Sequence, residues 1–156
     1  MITYIEKGDI FTLTDVTSFA HGCNCAGAMG KGIALQFRNK YPEMYLEYKE
    51  LCKNGEYIPG DVFDYDYGIG HIYNLATQLT WRTKAKLEYI EKSVTKMLDL
   101  ASEEDVTKIA LPAIGAGLGG LEWNDVKDVL EKASANYPNI ELYVVESYQS
   151  GNTISE

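Results

Sequence analysis

Apolar and polar residues alternate over Ile2 to Glu6, which predicts a first β-strand. A second strand is expected over Val16 to Gly22, running straight into a glycine-rich loop. Gly32 to Asn39 then sets Ile33, Ala34 and Phe37 along one side of a helix that stops before Tyr41-Pro42. Glu43 to Lys53 reads as a further helix, closed by Asn54-Gly55. Asp61 to Tyr67 and Gly70 to Leu75 read as two strands joined by a turn at Tyr67-Gly68.

The longest helix is expected over Thr83 to Ala101, with Leu87, Ile90, Val94, Met97 and Leu98 as its buried stripe. Lys108 to Leu111 is a short apolar strand ended by Pro112. Trp123 to Asn136 is the last helix, capped by Glu122 or Asn124, and Ile140 to Val145 the last strand. Strands and helices alternate, with one early hairpin. The expected fold class is therefore α/β, a three-layer α/β/α domain with a mixed, largely parallel sheet. Residues 1–148 read as one domain and 149–156 as a polar tail, without internal repeats or linkers.

A chain of 156 residues can bury roughly two-thirds of its unfolded surface in one core. No stretch approaches the roughly 20 apolar residues of a membrane span, and the first residues lack the pattern of a signal peptide. The three cysteines make an odd count, and Cys23 and Cys25 are too close to pair comfortably. That usage fits a reducing cytoplasm better than a disulfide framework. The net charge is −9, from 23 acidic and 14 basic residues, with no basic cluster to offset it. Such a surface repels nucleic-acid backbones, so neither free nucleic acid nor a membrane is an expected partner. Nothing resembles an extended apolar interface, and a monomer is expected.

The chemistry concentrates in two loops of glycine and other small residues. The first runs Cys25-Ala26-Gly27-Ala28-Met29-Gly30-Lys31-Gly32-Ile33, directly ahead of a helix. The second, Gly115-Ala116-Gly117-Leu118-Gly119-Gly120, again lies between a strand and a helix. Backbone N–H groups without Cβ atoms around them, next to a helix N-terminus, favour an anion. Two such cradles point to a small ligand with two linked phosphates.

Other readings of these residues fail on chemistry. Gly115, Gly117 and Gly120 have dinucleotide-fold spacing, but only one helix and one strand follow, too little for a dehydrogenase domain. Gly30-Lys31 is followed by Gly32 rather than Ser or Thr, so there is no nucleoside-triphosphate loop. Cys25 and Lys31 have the spacing of a cysteine phosphatase, but Lys lacks the forked donors of the required Arg. His21, Cys23, Cys25 and Cys52 do not have structural-zinc spacing, and no metal-binding carboxylate cluster is apparent. No cofactor and no metal are expected. His21, near the carboxyl end of a strand and just ahead of the first loop, is either a ligand-side group or a core histidine. His71 is expected to be structural or solvated on an edge strand, and Tyr148 is a candidate for stacking on a base.

Gly8-Asp9-Ile10, Asn24 ahead of Gly27-Ala28-Met29-Gly30-Lys31-Gly32-Ile33-Ala34, and Pro112-Ala113-Ile114-Gly115-Ala116-Gly117 together resemble the macro domain family. The resemblance covers nearly the whole chain. It implies ADP-ribose or its 1″-phosphate as the ligand. Asp9, beside Ile10, would accept a hydrogen bond from the adenine amino group, and Asn24 would contact the distal ribose. Gly27, Met29, Gly30, Lys31, Gly32 and Ile33 would hold the diphosphate from one side. Pro112, Gly115, Ala116, Gly117, Leu118 and Gly119 would hold it from the other.

The run Ala20-His21-Gly22-Cys23-Asn24-Cys25 is most similar to yeast-type ADP-ribose-1″-phosphate phosphatases. Trp81-Arg82 and Leu121-Glu122-Trp123 resemble a neighbouring branch of terminal ADP-ribose glycohydrolases and antitoxins acting on DNA. That branch uses a lysine nucleophile where this chain has Gln78, and its member acting on proteins has an acidic residue where this chain has Gly119. An amide cannot attack an anomeric carbon as an amine does. The resemblance thus implies a metal-independent phosphatase with His21 as its catalytic residue. His21 would donate a proton, orient water or attack phosphorus, three roles left open. A non-catalytic reader of ADP-ribose, or a hydrolase of ADP-ribosyl or O-acetyl-ADP-ribose links using bound water, is the alternative.

Overall fold

A computed structural model describes residues 1–149. Six strands form one sheet: β1 (Ile2–Gly8), β2 (Phe19–Asn24), β3 (Val62–Asp66), β4 (His71–Gln78), β5 (Lys108–Pro112) and β6 (Glu141–Tyr148). Their order across the sheet is β1-β6-β5-β2-β4-β3. β3 runs antiparallel to β4, and every other neighbouring pair is parallel. The helices are α1 (Gly32–Lys40), α2 (Pro42–Lys53), α3 (Leu87–Glu103) and α4 (Trp123–Ser134). This is the mixed three-layer α/β/α arrangement expected from the alternating pattern.

Two apolar clusters cover the two faces of the sheet. On one, α3 and α4 bury Ile90, Val94, Met97, Leu98, Val126 and Leu130 against Tyr73, Leu75, Ile109 and Leu142. On the other, Phe37, Met44 and Tyr48 from α1 and α2 pack on Phe19, Ile72 and Ala76. β4 lies inside the sheet, and Ile72 to Thr77 are buried on both faces. His71 therefore stands on an interior strand, not on the expected edge; β3 is the edge.

Several boundaries differ from the sequence expectation. α3 starts at Leu87 rather than Thr83, because Thr80 and Thr83 exchange hydroxyl and backbone hydrogen bonds that close a separate turn. β4 runs on to Gln78 and β2 to Asn24, so both reach the same edge of the sheet. Glu122 is the N-cap residue of α4, without a side-chain cap bond. The expected tail, apart from Gln149, lies outside the described residues.

The pairing of β2 with β5 is confined to Phe19 and Ala110. Beyond that point the two strands part towards their carboxyl ends. In an open α/β sheet a crevice of this kind is where ligands enter. Here it decides the position of the site.

Candidate functional site

The crevice is a cleft of about 560 Å³ between the loops that follow β2 and β5. One wall is the start of α1, where Gly30, Lys31, Gly32, Ile33 and Ala34 line the space. Lys31 is the N-cap residue, its side chain makes no cap bond, and no acidic residue stands in the first turn. The first N–H groups of the helix are thus left without an internal partner. Ile33 and Ala34, expected along one side of this helix with Phe37, are partly buried against the core and also line the cleft.

The opposite wall is formed by Pro112 to Ala116, Leu118 and Gly119. Gly115 has φ +76°, and a Cβ there would stand 2.4 Å from Ile90 Cδ1. Only glycine turns the chain in that space. A short 3₁₀ turn, Gly117–Gly119, follows and ends on Gly120 in the left-handed region.

Asn24 shapes the first loop. A register shift between Cys23 and Asn24 re-aims the end of β2. Asn24 Oδ1 accepts from Ala26 N–H (3.0 Å), Ala28 N–H (3.3 Å) and Tyr48 Oη–H (2.9 Å), while Nδ2 donates to the Ala28 carbonyl (2.9 Å). Its amide is largely committed to holding the loop against β2 and α2, a role the sequence reading did not foresee.

Gln78, at the end of β4, faces the floor. Its Nε2 donates to the carbonyls of Thr80 (2.8 Å) and Thr83 (3.0 Å). These two bonds fix the amide, and Oε1 lies on the side of Gly119. Thr77 and Trp81 also line the cleft; Trp81 is 57% exposed, with the Arg82 guanidinium 4.6 Å above its ring. Thr77 carried no signal in the sequence, being one buried position in an apolar strand.

His21 requires a correction. Its ring is wholly buried and does not line the cleft. Alternation along β2 turns it sideways into the α1 layer, where it stacks on Phe37 with centroids 4.0 Å apart. Nε2 donates to Asn74 Oδ1 at 2.6 Å. Burial lowers its pKa from 6.5 to about 4, against a smaller upward pull from Asn74, so the imidazole is neutral. A ring in this position cannot touch a ligand in the cleft.

The remaining expected residues divide. Asn24, Gly30, Lys31, Gly32, Ile33, Pro112, Gly115, Ala116, Leu118 and Gly119 come together around the cleft, whereas Asp9, Ile10, Gly27, Met29 and Gly117 do not line it. Asp9 is nearly buried at the carboxyl end of β1 and caps the turn Ile10–Thr12, Oδ1 accepting from Phe11 N–H at 2.9 Å. Ile10 and Met29 are core residues. Burial pushes the Cys23 thiol well above its ordinary range and the Cys25 thiol up to about 12, so neither is a thiolate at neutral pH. The cleft lies between two glycine-rich loops and is lined by few ionisable side chains.

An anion-binding crevice at the carboxyl edge of a mixed α/β sheet is the class this geometry defines. The sequence matches the family described as Macro domain over residues 20–130, and the chain belongs to that family. It is 38% identical over 148 residues to the DNA ADP-ribosyl glycohydrolase of Mycobacterium tuberculosis, covering 92% of this chain and 42% of that protein. It is 28% identical over 159 residues to the ADP-ribose 1″-phosphate phosphatase of Candida albicans, covering 93% of this chain and 100% of that enzyme. Among solved structures it superposes on the macrodomain of Mycobacterium tuberculosis DarG with a TM-score of 0.86 at 38% identity, over 93% of this chain and 97% of that one. The chain thus spans about two-fifths of the mycobacterial relative it matches. No helix among the described residues is long and apolar enough to cross a membrane.

Proposed function

We propose that this macro domain binds ADP-ribose in the cleft and removes the 1″-phosphate from ADP-ribose-1″-phosphate. The observation that carries this reading is the uncapped start of α1 facing the Gly115–Gly119 wall across the cleft. A diphosphate between these walls would meet backbone donors from both sides. The same kind of donor suits a terminal phosphate, because N–H groups stabilise phosphoryl oxygens as charge moves between them.

Water is the nucleophile in this proposal. Its oxygen bonds to phosphorus, the bond from phosphorus to the ribose oxygen breaks, and a proton passes to that oxygen. The products are ADP-ribose and inorganic phosphate. Gln78 Oε1, fixed by its two amide donations, accepts a hydrogen bond from the water and orients it. His21 has no part in the chemistry. The relatives named above are, by their names, hydrolases of ADP-ribose derivatives, which supports the hydrolytic part of the reading.

A second reading is removal of ADP-ribose from DNA. It is favoured by the exposed Trp81 ring with Arg82 over it at the cleft wall, a surface on which a base would stack. Gln78, where that branch has its lysine, and the net charge of −9 weigh against it.

The test is calorimetry with ADP-ribose, then phosphate release from ADP-ribose-1″-phosphate with chelator present, for wild type, Gln78→Leu and His21→Ala. An ADP-ribosylated oligonucleotide is assayed in parallel. Binding and release by wild type and His21→Ala, with release lost in Gln78→Leu, is the expected result. Binding without release from either substrate would make the domain a reader. Release of ADP-ribose from the oligonucleotide alone would establish the second reading.

A further inference from the structure

At the end of the sheet away from the cleft, three elements bring together side chains that the proposed reaction does not use. Asp64 comes from β3, His71 is the first residue of β4, and Glu104 is the C-cap residue of α3. His71 Nδ1 stands 2.8 Å from Asp64 Oδ1 and 3.5 Å from Glu104 Oε2. One potential ligand atom from each residue lies within 4.8 Å of the others. All three side chains are mostly covered; His71 and Glu104, but not Asp64, line a cavity of about 490 Å³ bordered also by Asp15, Asp66, Asp105 and Lys108.

We propose that Asp64, His71 and Glu104 form a binding site for a divalent first-row transition ion such as zinc. One imidazole nitrogen and two carboxylate oxygens make a ligand set that this ion accepts, with water completing the coordination. Two ligand atoms about 2.1 Å from one ion stand about 2.9–3.4 Å apart, from right-angle to tetrahedral geometry. The spacings from His71 Nδ1 bracket that interval, and the carboxylate pair lies within 4.8 Å, a gap that side-chain rotation would have to close around the ion.

The surroundings favour a cation in two further ways. The α3 carboxyl end, whose backbone dipole is negative, points at the same place. Tyr73 Oη donates to Glu104 Oε1 at 2.8 Å, which holds that carboxylate and leaves Oε2 turned to His71. The His71 ring stacks on Tyr73, centroids 5.8 Å apart and 11° from parallel. Such outer contacts orient metal ligands. An ion here would tie the β3–β4 hairpin to the end of α3, on the far side of the sheet from the cleft. The inference is independent of the proposed reaction.

The test is titration of chelator-stripped wild type with zinc chloride and cobalt chloride, followed by calorimetry, thermal unfolding and the visible spectrum of cobalt. Asp64→Asn, His71→Ala and Glu104→Gln are compared with Cys25→Ser/Cys52→Ser. Expected are one equivalent bound, a rise in Tm, and a cobalt spectrum without thiolate charge transfer. Each of the three site variants should weaken the ion at least tenfold, while the cysteine variant binds as wild type does. ADP-ribose affinity should stay unchanged in all of them. No saturable uptake by wild type, or uptake that survives His71→Ala, would overturn the proposal. So would uptake lost only in the cysteine variant.

Discussion

The two histidines stand on neighbouring strands and look into opposite layers. His21, on β2, stacks on Phe37 beneath α1, wholly buried and bonded to the uncharged Asn74 amide. His71, at the start of β4, faces the α3 layer between two carboxylates. One is a neutral packing element and the other a nitrogen donor beside an acidic cavity. The two ends of the sheet differ in the same sense. The cleft is walled by glycine-rich loops and borders one charged side chain, Lys31, whereas the far cavity is bordered by Asp15, Asp66, Glu104 and Asp105 with one cation, Lys108. Nearness to the carboxyl end of a strand does not by itself make a histidine a ligand group; the parity of its position decides which way it faces.

If the cleft depends on backbone shape, the largest effect should come from disturbing that shape. Gly115→Ala forces a side chain into the left-handed region and against Ile90. It should cost about 2–4 kcal/mol of stability in urea unfolding, from backbone strain and overpacking together. Gly30→Ala is the counterpart, since a Cβ there meets nothing within 4 Å. Its stability should stay within about 0.5 kcal/mol of wild type, with any effect confined to ligand affinity. Equal destabilisation by both would show that the loops are not distinguished as described.

The next effect tests the burial of His21 by pH. The folded pKa of His21 is about 4 against 6.5 when exposed, so the unfolded chain binds its proton first as pH falls. Its contribution is whole above pH 6.5 and is lost on the way down to about 4, a drop of about 3 kcal/mol. Urea unfolding from pH 8 to 4 should show this component in wild type and not in His21→Gln. An unchanged pH profile in the variant would mean that the ring is not buried as described.

Gln78→Leu comes third and bears on the cleft alone. Removing the acceptor that orients water should lower turnover about 100-fold, with ADP-ribose affinity changed by less than about threefold. A matching loss of affinity would make Gln78 a binding group instead.

How much of this could be read from the chain follows from what each feature depends on. The α3 stripe, Ile90, Val94, Met97 and Leu98, is local periodicity and was legible. So were the glycine loops, because glycine at a strand–helix junction reports backbone geometry directly. The start of α3 was not, because Thr80 and Thr83 compete for backbone groups by contacts that propensity does not include. For His21 the residues left a ligand-side group and a core histidine both open, because its place along β2 was legible and the face it turned to was not; only the resemblance implied a catalytic role. Asp64 and His71 are seven residues apart across the β3–β4 hairpin, but Glu104 is distant in sequence, and only the hairpin register and the end of α3 bring the three together. Long-range juxtaposition of single polar residues leaves no periodic trace.

The smallest effect is the sharpest test of the contrast between the two ends. Lys31 borders the cleft and is a cation on the α1 wall, exposed at the helix cap. A side-chain reader of phosphate would depend on it, as the far cavity depends on its carboxylates. A backbone reader would not, because the helix N–H donors remain when the side chain is cut back. An exposed charge contributes about 0–1 kcal/mol, so Lys31→Ala should weaken ADP-ribose by less than about fivefold, with only a slight change in its salt dependence. Calorimetry at low and high salt measures both. A loss of tenfold or more at low salt, erased at high salt, would mean that the cleft holds its anion through Lys31. The two ends of the sheet would then work by the same principle with opposite charge.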